Sequence, residues 1–361
     1  VTEQQGLELD DLEGIASLDS EDVLGSVEKF ADQCRDAWNV GITAVGLPDG
    51  AGVDSIVVLG MGGSGVSGDV VQSVVEPRLP LPLRVIKSYS PLPEWVGRNT
   101  LVFAVSYSGS TEETVDAMED AHTKGARIVA ISSGGPLAEL AVNYGIAHVA
   151  IPAGLQPRAS LPFLTMPLLA SLQNMGLIPE MGDEVDETVK VISEMAARST
   201  RSVPATGNPA KQLAGKLIGK IPVIYGGYGV GGTAAMRFKC DLNEYGKSPA
   251  FWNFFPELNH NEVVGWNKVA DVTREHFVLV LLREEGEHPR IVHRFEITEG
   301  LIDGHFSEVV EVQAEGLSPL ARLMSLIFIT QLAAIYVGLA HGVDPGPVET
   351  IMKLKSELAK R

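Results

Sequence analysis

The segment Ser106-Tyr107-Ser108-Gly109-Ser110-Thr111-Glu112-Glu113-Thr114 follows directly on the apolar run 101–105. A β-type run that stops in small hydroxyl residues and resumes with acidic ones reads as a strand, a tight polar loop and a helix start. The first backbone N–H groups of a helix lack intrahelical partners and the dipole is positive there. A phosphate bridged by Ser and Thr hydroxyls is therefore well satisfied at such a place. The same residues also read as an ordinary cap, with Ser110 or Thr111 capping and Glu113 at capping-box spacing from Ser110. From this loop alone both readings stand.

A second loop of this kind lies upstream. The run 55–59 leads into Gly60-Met61-Gly62-Gly63-Ser64-Gly65 and then a helix through Val70 and Val74. Gly60, Gly62 and Gly65 fit the spacing of a dinucleotide fingerprint. However, about 20 residues on, where that motif wants an acidic ribose ligand, the chain runs Glu76-Pro77-Arg78-Leu79-Pro80-Leu81-Pro82. Ser64 suits a phosphosugar at least as well. Arg158 sits in the irregular stretch 152–160 before a long apolar helix, where solubility alone would account for it. In the second half, Asn243-Glu244 falls where a helix ends, and His260 lies in a polar turn after Pro256. A carboxylate and an imidazole at that separation are not a motif by spacing, and a surface hydrogen bond is the plainer account of the histidine.

The elements that must position these residues follow from periodicity. Val23, Val27, Phe30, Cys34 and Trp38 recur at helical spacing, so an amphipathic helix is expected to end near Gly41. Strands are expected at 55–59, 83–87, 101–105, 126–131 and 147–151, alternating with helices, which indicates a parallel sheet covered on both faces. Ligands of such sheets sit beyond the carboxyl ends of the strands, where both hydroxyl-rich loops fall. An acidic helix at 183–202 and a Ser/Pro/Gly/Asn-rich stretch at 200–209 mark a boundary, giving expected domains of 1–199 and 200–361. Beyond it, a strand at 221–225, the loop 226–232 and a helix repeat the first half's pattern, with strands at 276–282 and 308–312. That repetition suggests an internal duplication. The copy carries Arg283-Glu284-Glu285 where the first half has its hydroxyl loop, and an acidic loop cannot cradle phosphate.

Composition narrows the partners. A net charge of −18, from 46 acidic and 28 basic residues, disfavours nucleic acid and anionic membranes. An anionic metabolite must then be held by local donors. Two cysteines, Cys34 and Cys240, form no framework or metal-ligand spacing, and no signal peptide is visible, so a cytoplasmic protein is expected. The apolar stretch 323–340 approaches the length of a membrane span. It carries Thr330 and Gln331 at its middle and lacks flanking anchors, so a buried helix is expected.

The set Gly60–Gly65, Ser106–Thr114, Pro157-Arg158, Asn243-Glu244 and Pro256-Glu257-Leu258-Asn259-His260-Asn261-Glu262 resembles the bifunctional phosphoglucose/phosphomannose isomerases of the sugar-isomerase (SIS) domain superfamily. The resemblance runs from about residue 20 to the C-terminus, and the two second-half motifs are specific to that subfamily. It implies an α/β chain of two tandem SIS-type doubly wound domains, each a parallel five-stranded sheet flanked by helices. It makes Ser64, Ser106, Ser108 and Thr111 the phosphate and sugar cradle, with Gly62 and Gly63 supplying backbone contacts. Arg158 becomes the cation beside the enediol, Glu244 the base between C1 and C2, and His260 the ring-opening group, contributed by the neighbouring subunit of a homodimer. A C-terminal lysine completes the set: Lys355, with Lys353 close by. Tyr245-Gly246 departs from the family pattern after the base.

The implied reaction joins glucose 6-phosphate, and mannose 6-phosphate, to fructose 6-phosphate through a cis-enediol. A carboxylate suits the proton shuttle and a histidine the ring opening. No metal or other cofactor is expected. A non-catalytic phosphosugar-binding regulator would keep the cradle and need neither Glu244 nor His260. An aminosugar synthase would need a glutamine-hydrolysing domain for which the chain has no room.

Overall fold

The computed structural model describes residues 6–268, 270–358 and 360. The chain clusters into two compact units. One comprises 29–193 and 315–325, the other the residues up to Glu28, 194–314 and those from Leu326 onward.

The first of these units is built on a five-stranded parallel sheet: β1 (Ser55–Leu59), β2 (Leu83–Ile86), β3 (Thr100–Val105), β4 (Arg127–Ser132) and β5 (Ala147–Ala150). The strand order is β2-β1-β3-β4-β5, so the winding reverses between β1 and β3. Every residue of β1 and β3 is buried, as expected of central strands covered on both faces. Val57, Leu59, Val102 and Ala104 pack with Ala117, Met118 and Leu137. Each fully buried aliphatic side chain of this kind contributes about 1.5–3 kcal/mol.

Before this sheet come α1 (Leu12–Leu18), α2 (Val23–Glu28) and α3 (Phe30–Ile42). The single helix expected through Trp38 is therefore two, divided at Lys29, whose backbone lies at φ −89°, ψ 14°. Between the strands run α4 (Gly62–Val75), α5 (Glu112–Thr123) and α6 (Gly135–Tyr144), followed by α7 (Leu161–Asn174) and α8 (Gly182–Ser199). Helix α3 lies so close to α7 that a Cβ on Gly41 would stand 2.5 Å from the Cα of Pro167.

The other unit contains α9 (Pro209–Leu217), β6 (Ile221–Gly227), α10 (Val230–Glu244), β7 (Phe251–Phe255), α11 (Ala270–His276), β8 (Phe277–Arg283), α12 (Pro289–Leu301) and β9 (Glu308–Gln313). Among the described residues its parallel sheet has the order β7-β6-β8-β9, the first sheet's winding without a fifth strand. The expectation of five strands in each half is thus corrected to five and four. From β9 the chain passes through Ala314-Glu315-Gly316-Leu317-Ser318, which offers no strand-length apolar run, straight into α13 (Pro319–Ala340). Strand β7, unanticipated from the sequence, is an edge strand whose aromatic run begins with Phe251, 56% exposed.

Helix α13 is long and apolar enough to cross a membrane, and its apolar window is wholly buried within the structure. Thr330 at its middle returns its hydroxyl to the Leu326 carbonyl at 2.7 Å, while Gln331 Nε2 donates to the Tyr245 hydroxyl at 3.1 Å. The chain continues into α14 (Glu349–Leu358).

The N-terminal arm is pinned within its own unit. Asp10 accepts from Lys211 Nζ at 2.9 Å and from the Ala205 amide at 2.9 Å, and the Lys211 side chain is fully buried. These bonds, Lys211 first, hold the Asp10 carboxyl below its ordinary value of 3.8. A depressed carboxylate contributes stability that is full above the unfolded value and lost as pH falls through the folded one. Asp10→Asn is therefore expected to lower the melting temperature at neutral pH. The gap to wild type should close in thermal melts as pH falls below about 3.8.

Candidate active site

Strands β1 and β3 are hydrogen-bonded neighbours at the point where the winding reverses, the usual ligand crevice of such sheets. Both hydroxyl-rich loops issue there. After β1 the turn is so tight that a Cβ on Gly65 would lie 2.7 Å from the Gly60 carbonyl oxygen. Gly62 takes φ +52° with open space around it, leaving its backbone approachable, and Gly63 beside it is half-buried. Ser64, next in the turn, accepts the Tyr107 amide on its Oγ at 3.2 Å, joining the two loops.

In the second loop Ser106 is fully buried, and its Oγ lies 2.8 Å from Thr111 Oγ1. Ser108 Oγ lies 2.9 Å from Ser110 Oγ. Thr111 is the N-cap of α5 and makes no side-chain cap bond, so its hydroxyl is turned to Ser106 instead of to the helix amides. That arrangement is unlike an ordinary cap and leaves hydroxyls clustered over a helix N-terminus. The loop closes on its neighbour after β4. Gly109 sits at φ +68°, where a Cβ would come 1.8 Å from the Gly134 carbonyl oxygen, and the Leu137 amide donates to the Gly109 carbonyl at 3.0 Å.

Tyr107, which sequence reasoning passed over, is the brace of this region. Its hydroxyl donates to the Pro152 carbonyl at 3.0 Å and accepts the Leu155 amide at 2.8 Å, fixing the loop that leads to Arg158. Burial pushes the Tyr107 hydroxyl's pKa up, keeping it a neutral donor. Arg158 is 5% exposed, so surface solubility does not account for it. Lys87, just past β2, was likewise not singled out. It pairs with Asp69 of α4, and its stem lies 3.0 Å from where a Cβ on Gly65 would stand. Burial outweighs this pairing and raises the Asp69 carboxyl's pKa.

Within the other unit, Glu244 is the last residue of α10 and half-buried. Its carbonyl accepts from Lys247 Nζ at 2.5 Å, and the same ammonium donates to the Pro347 carbonyl at 2.6 Å. Tyr245-Gly246 now has a physical account. Tyr245 is fully buried, and helix α13 passes so close that a Cβ on Gly338 would lie 2.4 Å from the Tyr245 carbonyl oxygen. A Cβ on Gly246 would lie 2.7 Å from the Leu242 carbonyl oxygen.

His260 closes a short 3-10 turn, Glu257–His260, and is exposed. The residues around it are firmly tied. Glu262 accepts from the Tyr225 hydroxyl at 2.6 Å and from Asn253 Nδ2 at 2.5 Å, and Trp266 Nε1 donates to the Tyr225 hydroxyl at 3.0 Å. Tyr225's hydroxyl pKa is driven far up, first by burial and then by the Glu262 carboxylate. Because α10 returns antiparallel to β6 and β7, Glu244 lies at the sheet edge where β7 begins and His260 beyond the edge where β7 ends. Five residues of strand separate those edges by about 15 Å. Within one unit these two residues are not brought together. Lys353 and Lys355 lie on α14, which has no buried residue. The structure thus gathers Gly62, Gly63, Ser64, Ser106, Ser108 and Thr111 into one cradle, and ties the Arg158 loop to it through Tyr107. Among the described residues, no group of three or more His, Cys, Asp or Glu could hold a metal ion.

Two parallel α/β sheets in one chain, the first with a hydroxyl cradle at its switch point, define a tandem SIS-domain protein. Residues 51–160 match the SIS domain model, and residues 206–358 match the model of the bacterial phospho-glucose isomerase C-terminal SIS domain. The bifunctional phosphoglucose/phosphomannose isomerase of Caldicellulosiruptor bescii is 39% identical over 335 residues, covering 93% of this chain and 98% of that protein. The one from Aquifex aeolicus is 34% identical, covering 84% and 90%. A solved structure of a putative phosphosugar isomerase from Clostridium difficile superposes with a TM-score of 0.68 at 18% identity, covering 92% of this chain and 97% of that one. The chain belongs to the bifunctional phosphoglucose/phosphomannose isomerase family and is an isomerase, which sets aside the non-catalytic regulator.

Proposed function

We propose that the protein interconverts glucose 6-phosphate and mannose 6-phosphate with fructose 6-phosphate through a shared cis-enediol. The observation that carries this reading is the hydroxyl cradle over the α5 N-terminus, where Thr111 and Ser106 face each other with the helix left uncapped by a side chain. In this reading the sugar's phosphate lies against Ser106, Ser108 and Thr111, with Ser64 and the Gly62 and Gly63 backbone beside it. His260 opens the ring. Glu244 takes the proton from C2 of the open aldose and returns it to C1 while the C1 oxygen gains a proton and the C2 hydroxyl loses one. Arg158 offsets the charge of the enediolate, an effect typically worth about 3 kcal/mol of barrier. Glucose and mannose 6-phosphates differ only at C2, so one enediol serves both.

Lys355 is assigned to the substrate's ring oxygen. The opposite placement of Glu244 and His260 about β7 favours a homodimer in which His260 completes the neighbour's site. The protein is assigned to the cytoplasm. A coupled assay of the purified protein is expected to show turnover of both mannose 6-phosphate and fructose 6-phosphate. Binding of either sugar phosphate without turnover of any would overturn the reading.

A further inference from the structure

We infer that Asn259, Thr298 and Arg294 are positioning residues for His260, an inference that rests on the ring-opening role proposed above. The imidazole is exposed, yet the backbone on both sides of it is held. Leu258, two residues before, is fully buried in the core with Phe255, Phe295 and Ile302. Asn259 is bound at both ends of its amide: Nδ2 donates to Thr298 Oγ1 at 2.7 Å, and Oδ1 accepts from Arg294 Nη1 at 3.0 Å. Arg294 and Thr298 stand four residues apart on one face of α12. On the far side Asn261 Nδ2 donates to Glu257 Oε1 at 2.9 Å, closing the turn on itself.

A solvated surface histidine needs none of this. A proton donor that must meet a sugar ring oxygen does, because reacting groups have to be held within about 0.5 Å and 10–20° of the productive geometry. In the opening step the C1 hydroxyl loses its proton, the C1–O5 bond breaks as the C1 carbonyl forms, and O5 takes a proton. The base at Glu244 is not involved. Arg294 and Asn259 also line a cavity of about 520 Å³ with Arg290 and Thr298, so the brace stands at the wall of open space and not in a sealed core. Thr298 is 2% exposed, which fixes its hydroxyl's place independently of solvent.

The test separates ring opening from isomerisation. Anomerisation of glucose 6-phosphate, followed by exchange NMR on the full-length protein, needs ring opening and does not need the C2 base. Asn259→Ala and Thr298→Val are each expected to slow anomerisation about tenfold with KM within about twofold, since small misplacements cost rate more than binding. Thr298→Ser keeps the hydroxyl and is expected to anomerise like wild type, and thermal melts of Thr298→Val show whether that variant is folded. A folded Thr298→Val protein that anomerises at the wild-type rate, beside a slow His260→Ala protein, overturns the brace. A His260→Ala protein at the wild-type rate overturns the ring-opening role itself and the brace with it.

Discussion

Glu244→Gln is expected to lower kcat for both sugar phosphates by about 10²–10⁴-fold, the usual contribution of a positioned general base, with KM changed little. The amide is isosteric with the carboxylate, and the side chain is half-buried at the end of α10. The backbone there is fixed by Lys247 and by the approach of α13, neither of which the substitution touches. The variant should therefore fold as wild type does and still bind fructose 6-phosphate in calorimetry. Retention of more than about a tenth of wild-type kcat would remove Glu244 from the role of base.

Gly109→Ala is the second large effect expected. The left-handed conformation costs an L-residue about 1–2 kcal/mol, and overpacking adds about 1–3 more. The methyl group would be driven against the Gly134 carbonyl oxygen at 1.8 Å. A loss of about 2–5 kcal/mol in denaturant unfolding follows from that sum. A fall of about 10²-fold in kcat/KM is also expected, because Ser108 and Ser110 flank the displaced residue. Gly62→Ala is the contrast. Its φ of +52° carries the same conformational cost, but the methyl would enter open space, so only about 1–2 kcal/mol is at stake. Equal stability losses in the two variants would show that contact with Gly134 is not what holds the loop.

The parts of the fold that could be read from sequence are those in which one physical signal dominates. β1 and β3 are continuous apolar runs ended by glycine or serine, and both lie where expected. Strand β7 escaped because it is an edge: Phe251-Trp252-Asn253-Phe254-Phe255 is exposed at its first residue and buried at its last, without a period of two. The division at Lys29 was hidden because Val27 and Phe30 keep the helical spacing across it and both are buried.

At the site, the clustering of small hydroxyls and glycines at a strand end was legible, although the same residues read equally as an ordinary helix cap. The pairing of Ser106 with Thr111 was not, since either hydroxyl could equally have turned to the helix amides. Tyr107 carried no signal at all. A tyrosine inside a hydroxyl loop looks like part of the motif, and only its bonds to residues 152 and 155 show it reaching toward the Arg158 loop.

Gly338 ties Glu244, the base proposed above, to a second and distant part of the chain. Its missing side chain lets α13 ride against Tyr245, the residue that follows Glu244. A side chain at position 338 would leave Glu244 chemically intact and still press on the backbone beside it. The location of Glu244 is thus set at two points of the chain that lie far apart in sequence.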